Sequence, residues 1–321
     1  MKKIIAIICA ALMLLSLAAC SGSSAAKDDG KYTIGICQLV THDALDAATQ
    51  GFMDALTEER GEENVTFDLQ NAAGDSNTCS SIVNQFVADD VDLIMANATP
   101  ALQAASAATE DIPILGTSVT EYGVAMGIDN FSGTVGGNVS GTSDLAPLDE
   151  QAAMIQEWFP DAKNVGLLYC SAEANSKYQV DTVQAYLEEM GYTCTQYAFA
   201  DSNDMAAVTQ SACDASDVIY VPTDNAVASG TGVIDGICRP AGVPVIAGEA
   251  GICSGCGVAT LSISYYDLGV ATGKMAAKVL PGEADISEMP VEYAATVTPK
   301  YNAEICEDLG LTPPDGYEPI A

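Results

Sequence analysis

Apolar and polar positions along the chain follow two alternating periods. Runs that alternate or are wholly apolar read as strands: Tyr32 to Leu39, Val65 to Gln70, Asp92-Leu93-Ile94-Met95 and Ile112-Pro113-Ile114-Leu115. Between them, apolar residues spaced three and four apart mark helices. Leu45, Ala48, Phe52 and Leu56 share one face of the first helix, and Ile82, Val83, Phe86 and Val87 one face of the second. Thr99-Pro100 opens a third. Strands alternating with helices build a parallel sheet covered by helices.

The same order recurs about 125 to 131 residues later. Val165 to Tyr169 is a strand, and Val180, Val183, Leu187 and Met190 form a buried helical face. Asp217-Val218-Ile219-Tyr220 answers Asp92-Leu93-Ile94-Met95, and Val243-Pro244-Val245-Ile246 answers Ile112-Pro113-Ile114-Leu115. Asp92 to Thr99 and Asp217 to Asp224 are each seven residues. Four matches in register predict two similar α/β lobes. A Gly-rich stretch, Thr120 to Thr142, separates the copies. Val258 to Leu261 (strand), Leu268 to Leu280 (helix) and Val291 to Val297 (last strand) follow the second copy.

The N-terminus is of another kind. Lys2 and Lys3 precede an apolar run from Ile4 to Leu17 that ends on small residues and Cys20. The run is short of the ~20 residues needed to span a membrane, so it reads as a secretory leader, 1–19. Leu17-Ala18-Ala19-Cys20 is similar to the bacterial lipobox, whose cysteine carries lipid; residues 20–30 then form a tether.

Charge and cysteines narrow the function. The 321 residues carry 44 acids against 11 Lys and Arg, a net charge of −33, and loss of the leader removes two more lysines. Nucleic acid and anionic lipid surfaces are excluded as partners. About 290 residues beyond the tether exceed one ordinary core, so two domains are expected. Nine cysteines remain in the mature body, an odd number that argues against a full disulfide framework. Cys253-x-x-Cys256 is the one candidate pair; without a second pair or histidines it is not a zinc site.

Open parallel sheets bind ligands beyond the carboxyl ends of their strands, where helix N-termini converge. Two facing lobes would make a cleft there. Lobe one contributes Thr41, His42, Thr99, Thr117 and Ser118; lobe two contributes Glu173, Asn175, Ser176, Thr223, Asp224, Asn225 and Glu249. These loops hold hydroxyls and acids, with Lys177 just past the edge. A zwitterion fits best, its carboxylate on hydroxyls and helix N-termini and its ammonium on acids. Asp224 is the favoured ammonium partner, and Thr99 is its counterpart in the repeat. Each also reads as a structural device: Thr99, Asp224 and Asn225 as helix caps, and His42, the single histidine, as a surface hydrogen-bonding group. Tyr122, Tyr169, Tyr178 and Tyr266 are candidates to pack against an aromatic ligand.

Enzymatic readings find little support. No Gly-x-Gly-x-x-Gly follows the first strand, and neither a phosphate-binding Gly-x-x-x-x-Gly-Lys nor a Gly-x-Ser-x-Gly elbow occurs. No cofactor or metal is called for.

At Thr41-His42, Ala98-Thr99-Pro100, Ser143-Asp144-Leu145, Glu173-Ala174-Asn175-Ser176, Val221-Pro222-Thr223-Asp224-Asn225 and Tyr265-Tyr266-Asp267-Leu268-Gly269 the chain resembles a family of ABC-importer substrate-binding lipoproteins. That family includes the tryptophan- and tyrosine-binding proteins of Gram-positive bacteria. The resemblance implies a type I periplasmic-binding-protein fold: two doubly wound lobes joined by a hinge, one of 31–119 with 258–290, the other of 142–248 with 298–321. The crossovers would be 120–141, 249–257 and 291–297. It adds Ser143, Asp144, Tyr266 and Asp267 to the site, with Asp267 also readable as a helix cap. A lipid-anchored monomer at the outer face of the cell membrane would pass an aromatic amino acid to an ABC permease. The alternatives are a branched-chain amino acid, peptide or nucleoside, or a surface adhesin or sensory lipoprotein of the same fold.

Overall fold

Residues 30–320 are described in this structure, a computed structural model; the leader, Cys20 and the tether up to residue 29 lie outside them. The first lobe opens with β1 (Tyr32–Gln38), α1 (Asp43–Arg60), β2 (Val65–Asn71), α2 (Ser76–Ala88) and β3 (Leu93–Asn97). It continues through α3 (Thr99–Ala108), β4 (Ile114–Val119), α4 (Tyr122–Met126) and β5 (Val139–Ser143). The second runs through α5 (Leu148–Trp158), β6 (Asn164–Cys170), α6 (Ala174–Glu189), β7 (Thr193–Phe199), α7 (Ser202–Cys213) and β8 (Val218–Val221). Then come α8 (Asn225–Ala228), α9 (Thr231–Ala241), β9 (Val245–Ala247), α10 (Ala250–Cys256) and β10 (Ala259–Ser262). The chain returns with α11 (Tyr265–Val279) and β11 (Glu292–Tyr293) to lobe one, and with β12 (Thr298–Tyr301), α12 (Ala303–Asp308) and β13 (Glu318–Pro319) to lobe two.

Strand order is β11-β5-β4-β3-β1-β2 in one sheet and β13-β12-β10-β9-β8-β6-β7 in the other. Each therefore holds a doubly wound core of order 2-1-3-4-5. All pairings are parallel save β10 with β12. β3 and β4 are buried along their whole length, as helices on both faces require. The internal repeat extends to hydrogen bonds. The Asp92 carboxylate accepts the Thr33 N–H at 2.7 Å, and the Asp217 carboxylate accepts those of Lys163 and Asn164 at 2.9 and 2.8 Å. The Ile94 N–H donates to Pro113 as the Ile219 N–H donates to Pro244.

The lobe boundaries differ from those expected. β5 belongs to the first sheet, paired with β4, and not to a crossover or to lobe two. It is hidden in sequence because Val139-Ser140-Gly141-Thr142-Ser143 carries almost no apolar side chains, and small residues are what its close packing admits. At Gly141 (φ +147°) a Cβ would stand 2.1 Å from the Gly116 carbonyl oxygen. β10 joins the second sheet, since the edge of β9 is free to take it. Residues 250–256, expected in a crossover, form α10. The expected last strand, Val291 to Val297, divides into β11 and the approach to β12, in different sheets. The chain thus crosses between lobes at 144–147, at 263–264 and at 294–297.

Candidate functional site

On the lobe-one side, two helices begin without a side-chain cap. α1 follows His42 and α3 follows Ala98, so their first N–H groups are not met by a capping side chain. Ala98 has φ +90° and Ser118, near the end of β4, φ +53°, conformations that non-glycine residues hold at a cost. Thr99 is the first residue of α3 rather than its cap. Its hydroxyl and that of Ser118 are buried and make no hydrogen bond among the described residues.

The lobe-two side is acidic, and its acids hold helix ends. Asp224 caps α8: one oxygen accepts the Val227 N–H at 2.9 Å, the other the Cys170 N–H at 2.7 Å. Glu249 caps α10 through the N–H groups of Gly251 and Ile252. Glu173 reaches across to accept from Ala226 and from both nitrogens of Asn225. Asn175 donates to Glu173 and to the Thr223 carbonyl, and its own side-chain oxygen is unpartnered. Ser176, fully buried, accepts from the Asn175 amide at 3.3 Å and lies beside Asp224.

The two sides meet. The His42 ring nitrogen Nε2 lies 3.2 Å from Asn225 Oδ1, bridging the lobes. Behind this contact a very small cavity, about 10 Å³, is lined by His42, Leu45, Asp144, Thr223, Asp224, Asn225, Ala228, Glu249 and Tyr265. Three of those nine are carboxyl groups, each at most 3 % exposed, and none is lysine or arginine. Burial, reinforced by the neighbouring Glu173 charge, pushes Asp224 up to about 7. Burial likewise pushes Glu249 up to about 7 and raises Asp144. Burial lowers His42, which favours the neutral ring. The cavity is thus walled by buried carboxyl groups with no basic side chain beside them.

The remaining expected residues lie elsewhere. Thr41 is exposed and held by the Asn71 amide. Thr117 is interior, in a hydroxyl chain through Thr142 and Thr272 to the Leu268 carbonyl. Ser143 turns its hydroxyl to the Thr120 carbonyl, bracing the start of the first crossing. Tyr266 is 42 % exposed and bonds Asp54 on the outer face. Asp267 is exposed too, and Ser264 caps α11 in its place. Tyr122 and Tyr169 are consumed by the lobe cores, and Tyr178 packs on that of lobe two. The aromatic ring at the cavity is Tyr265, missed because the paired tyrosines were not separated by helical phase. Tyr265 shares the spacing of Leu268, Thr272, Met275 and Val279, whereas Tyr266 lies a third of a turn away. The Cys253 and Cys256 thiols point to different backbone carbonyls, those of Gly257 and Ile252, and are free.

Known proteins agree with this geometry. Residues 33–317 match the family described as ABC transporter substrate binding protein. A tyrosine-binding protein of Clostridioides difficile is 37 % identical over 302 residues, 90 % of this chain and 87 % of that one. A Streptococcus pneumoniae ABC domain in complex with L-Trp superposes with a TM-score of 0.84 at 34 % identity, covering 89 % of this chain and 96 % of that chain. The ligand-free, open structure of a Clostridium difficile substrate-binding protein with adhesive properties gives 0.68 at 38 % identity, covering 90 % and 100 %. The likeness is thus greater to the L-Trp complex than to the open form despite the lower identity, in keeping with the closed His42–Asn225 contact. Family and relatives are substrate-binding proteins, as expected, and not enzymes; they work on the extracytoplasmic side. The chain belongs to the ABC transporter substrate-binding protein family.

Proposed function

We propose that this protein captures an aromatic amino acid, tryptophan, tyrosine or phenylalanine, as its zwitterion between the lobes and hands it to an ABC permease. The observation that carries the reading is the polarity across the cleft. Lobe one offers helix N-termini without side-chain caps and the unpartnered Thr99 and Ser118 hydroxyls, which suit a carboxylate. The small cavity between the lobes is lined by buried carboxyls without a cation, which suit an ammonium. The names of the two relatives, one tyrosine-binding and one held with L-Trp, support an aromatic side chain. Calorimetry against the twenty amino acids, sugars and nucleosides should show heat with an aromatic amino acid and no turnover. A ligand at about 100 times its Kd adds roughly 2.7 kcal/mol of stability, so a thermal shift reads the same event. Heat from a sugar or nucleoside, with none from any aromatic amino acid, would sink the reading.

The protein works as a monomer held at the membrane by lipid on Cys20. Cys20→Ala should move it from the membrane to the soluble fraction, and a variant that sediments as firmly as the parent would refute the anchor. Surface adhesion is a second reading, favoured by the adhesive properties of the Clostridium difficile relative.

A further inference from the structure

Four acids stand at or beside the cleft, and in three of them each carboxylate oxygen already has at least one N–H donor. Both oxygens of Asp224, of Glu249 and of Glu173 already accept N–H groups, chiefly from the first turns of α8 and α10. Asp144 differs. Its Oδ2 accepts the Tyr265 hydroxyl at 2.9 Å, while its Oδ1 is buried and has no hydrogen-bond partner among the described residues. The Thr120 hydroxyl and the residue's own N–H lie near enough to favour its ionised form, yet neither makes a hydrogen bond to Oδ1. A buried carboxylate oxygen without a donor costs the full desolvation of that atom, a cost that persists only where something supplies the missing donor.

We infer that Asp144, and not Asp224, receives the ligand's ammonium group, and that through Tyr265 it couples occupancy of the cleft to the hinge. This rests on the reading of the ligand as an amino acid. The second half follows from position. Asp144 is the first residue of the crossing at 144–147, and Tyr265 is the first residue of α11, directly after the crossing at 263–264. Their hydrogen bond ties two of the three crossings together at the cavity wall. Tyr265, Ile263 and Leu268 pack with Ala44 and Ala48 of α1, and with Ala294 and Val297 of the third crossing. An ammonium on Oδ1 fixes the Asp144 side chain, and with it the point where all three crossings converge. Tyr265 is here a positioning residue; it holds Oδ2 so that Oδ1 is presented.

The test compares ligands with and without the ammonium. Affinities of L-tryptophan and 3-(indol-3-yl)propionate, and of L-tyrosine and 3-(4-hydroxyphenyl)propionate, are measured by calorimetry on the parent and on Asp144→Asn. Asn keeps the shape and can still accept from Tyr265. The parent should prefer the amino acid over its desamino analogue by roughly 10- to 100-fold, the range of a charge-assisted hydrogen bond. Asp144→Asn should lose most of that preference, while Tyr266→Phe on the outer face keeps it. Tyr265→Phe should retain part of the preference and, by small-angle scattering at saturating ligand, close less completely. If Asp144→Asn discriminates as strongly as the parent, or if Asp224→Asn alone abolishes discrimination, the ammonium is not on Asp144 and the inference fails while the ligand reading stands. A parent that binds no amino acid overturns both.

Discussion

Asp224 and Glu249 do two incompatible jobs: each holds a helix end by backbone N–H groups, which favours the charged form, and each is buried where charge is costly. Burial wins, and both titrate near 7 instead of near 4. Between about pH 4 and pH 7 the folded chain holds protons that the unfolded chain has released, so stability from these groups is complete below pH 4 and is lost as pH rises through 7. The melting temperature of the ligand-free protein should therefore fall by a few degrees from pH 5 to pH 8. Asp224→Asn with Glu249→Gln removes both titrations while leaving one acceptor oxygen at each helix end, and should flatten that slope at some cost in overall stability; an unchanged slope by scanning calorimetry would show that the charge is relieved elsewhere. Amino-acid affinity should move the opposite way and rise over the same window, because an ammonium binds the ionised wall.

At the scale of elements, the return of α11 to lobe one sets the second crossing. α11 packs on α1 backbone to backbone. A Cβ on Gly269 would stand 2.0 Å from the Ala48 carbonyl oxygen, one on Gly51 2.1 Å from that of Tyr266, and one on Gly273 2.6 Å from that of Phe52. Gly269→Ala must push the helices apart, an overpacking cost of at least about 1–3 kcal/mol, and it lifts Tyr265 away from Asp144. Urea unfolding should report that loss. Gly232→Ala in α9, where a Cβ meets nothing within 4 Å, should be neutral or stabilising by up to ~1 kcal/mol. Equal losses at the two positions would mean that helix propensity, and not close packing, decides.

For the whole molecule, the balance is between like charges and a shared ligand. A chain with net charge −33 gains nothing electrostatically by bringing its two acidic lobes together, and the hydrogen bond that His42 and Asn225 make across the lobes is neutral. Closure should therefore depend on a ligand that supplies the positive charge, with rotation at 144–147, 263–264 and 294–297. Small-angle scattering should give a radius of gyration that falls on ligand addition toward the ~19 Å of a compact chain of this size. Identical curves with and without saturating ligand would show a cleft that closes on its own.

Most of the strands and helices, the two-fold repeat and an acidic, cation-free cleft are legible in the sequence, because each is written in spacing or in local side-chain chemistry. Val83, Phe86, Val180, Val183 and Leu187 are buried as their spacing requires, whereas Met190, expected on the same face, caps the helix and is 37 % exposed, and Asp92 and Asp217 answer one another to the hydrogen bond. What needed the tertiary structure is everything that depends on a partner distant in the chain. Which sheet takes β5 and β10 is decided by a free strand edge, and hydropathy does not record edges. Tyr265 and Tyr266 are the same residue type side by side, and only helical phase against α1 turns one to the cavity and the other to Asp54. Asp144, Asp224 and Glu249 are alike as letters; they differ in which lone pairs the folded backbone has already filled. Spacing places acids at the cleft, and long-range hydrogen bonding decides which of them remains free to hold a charge.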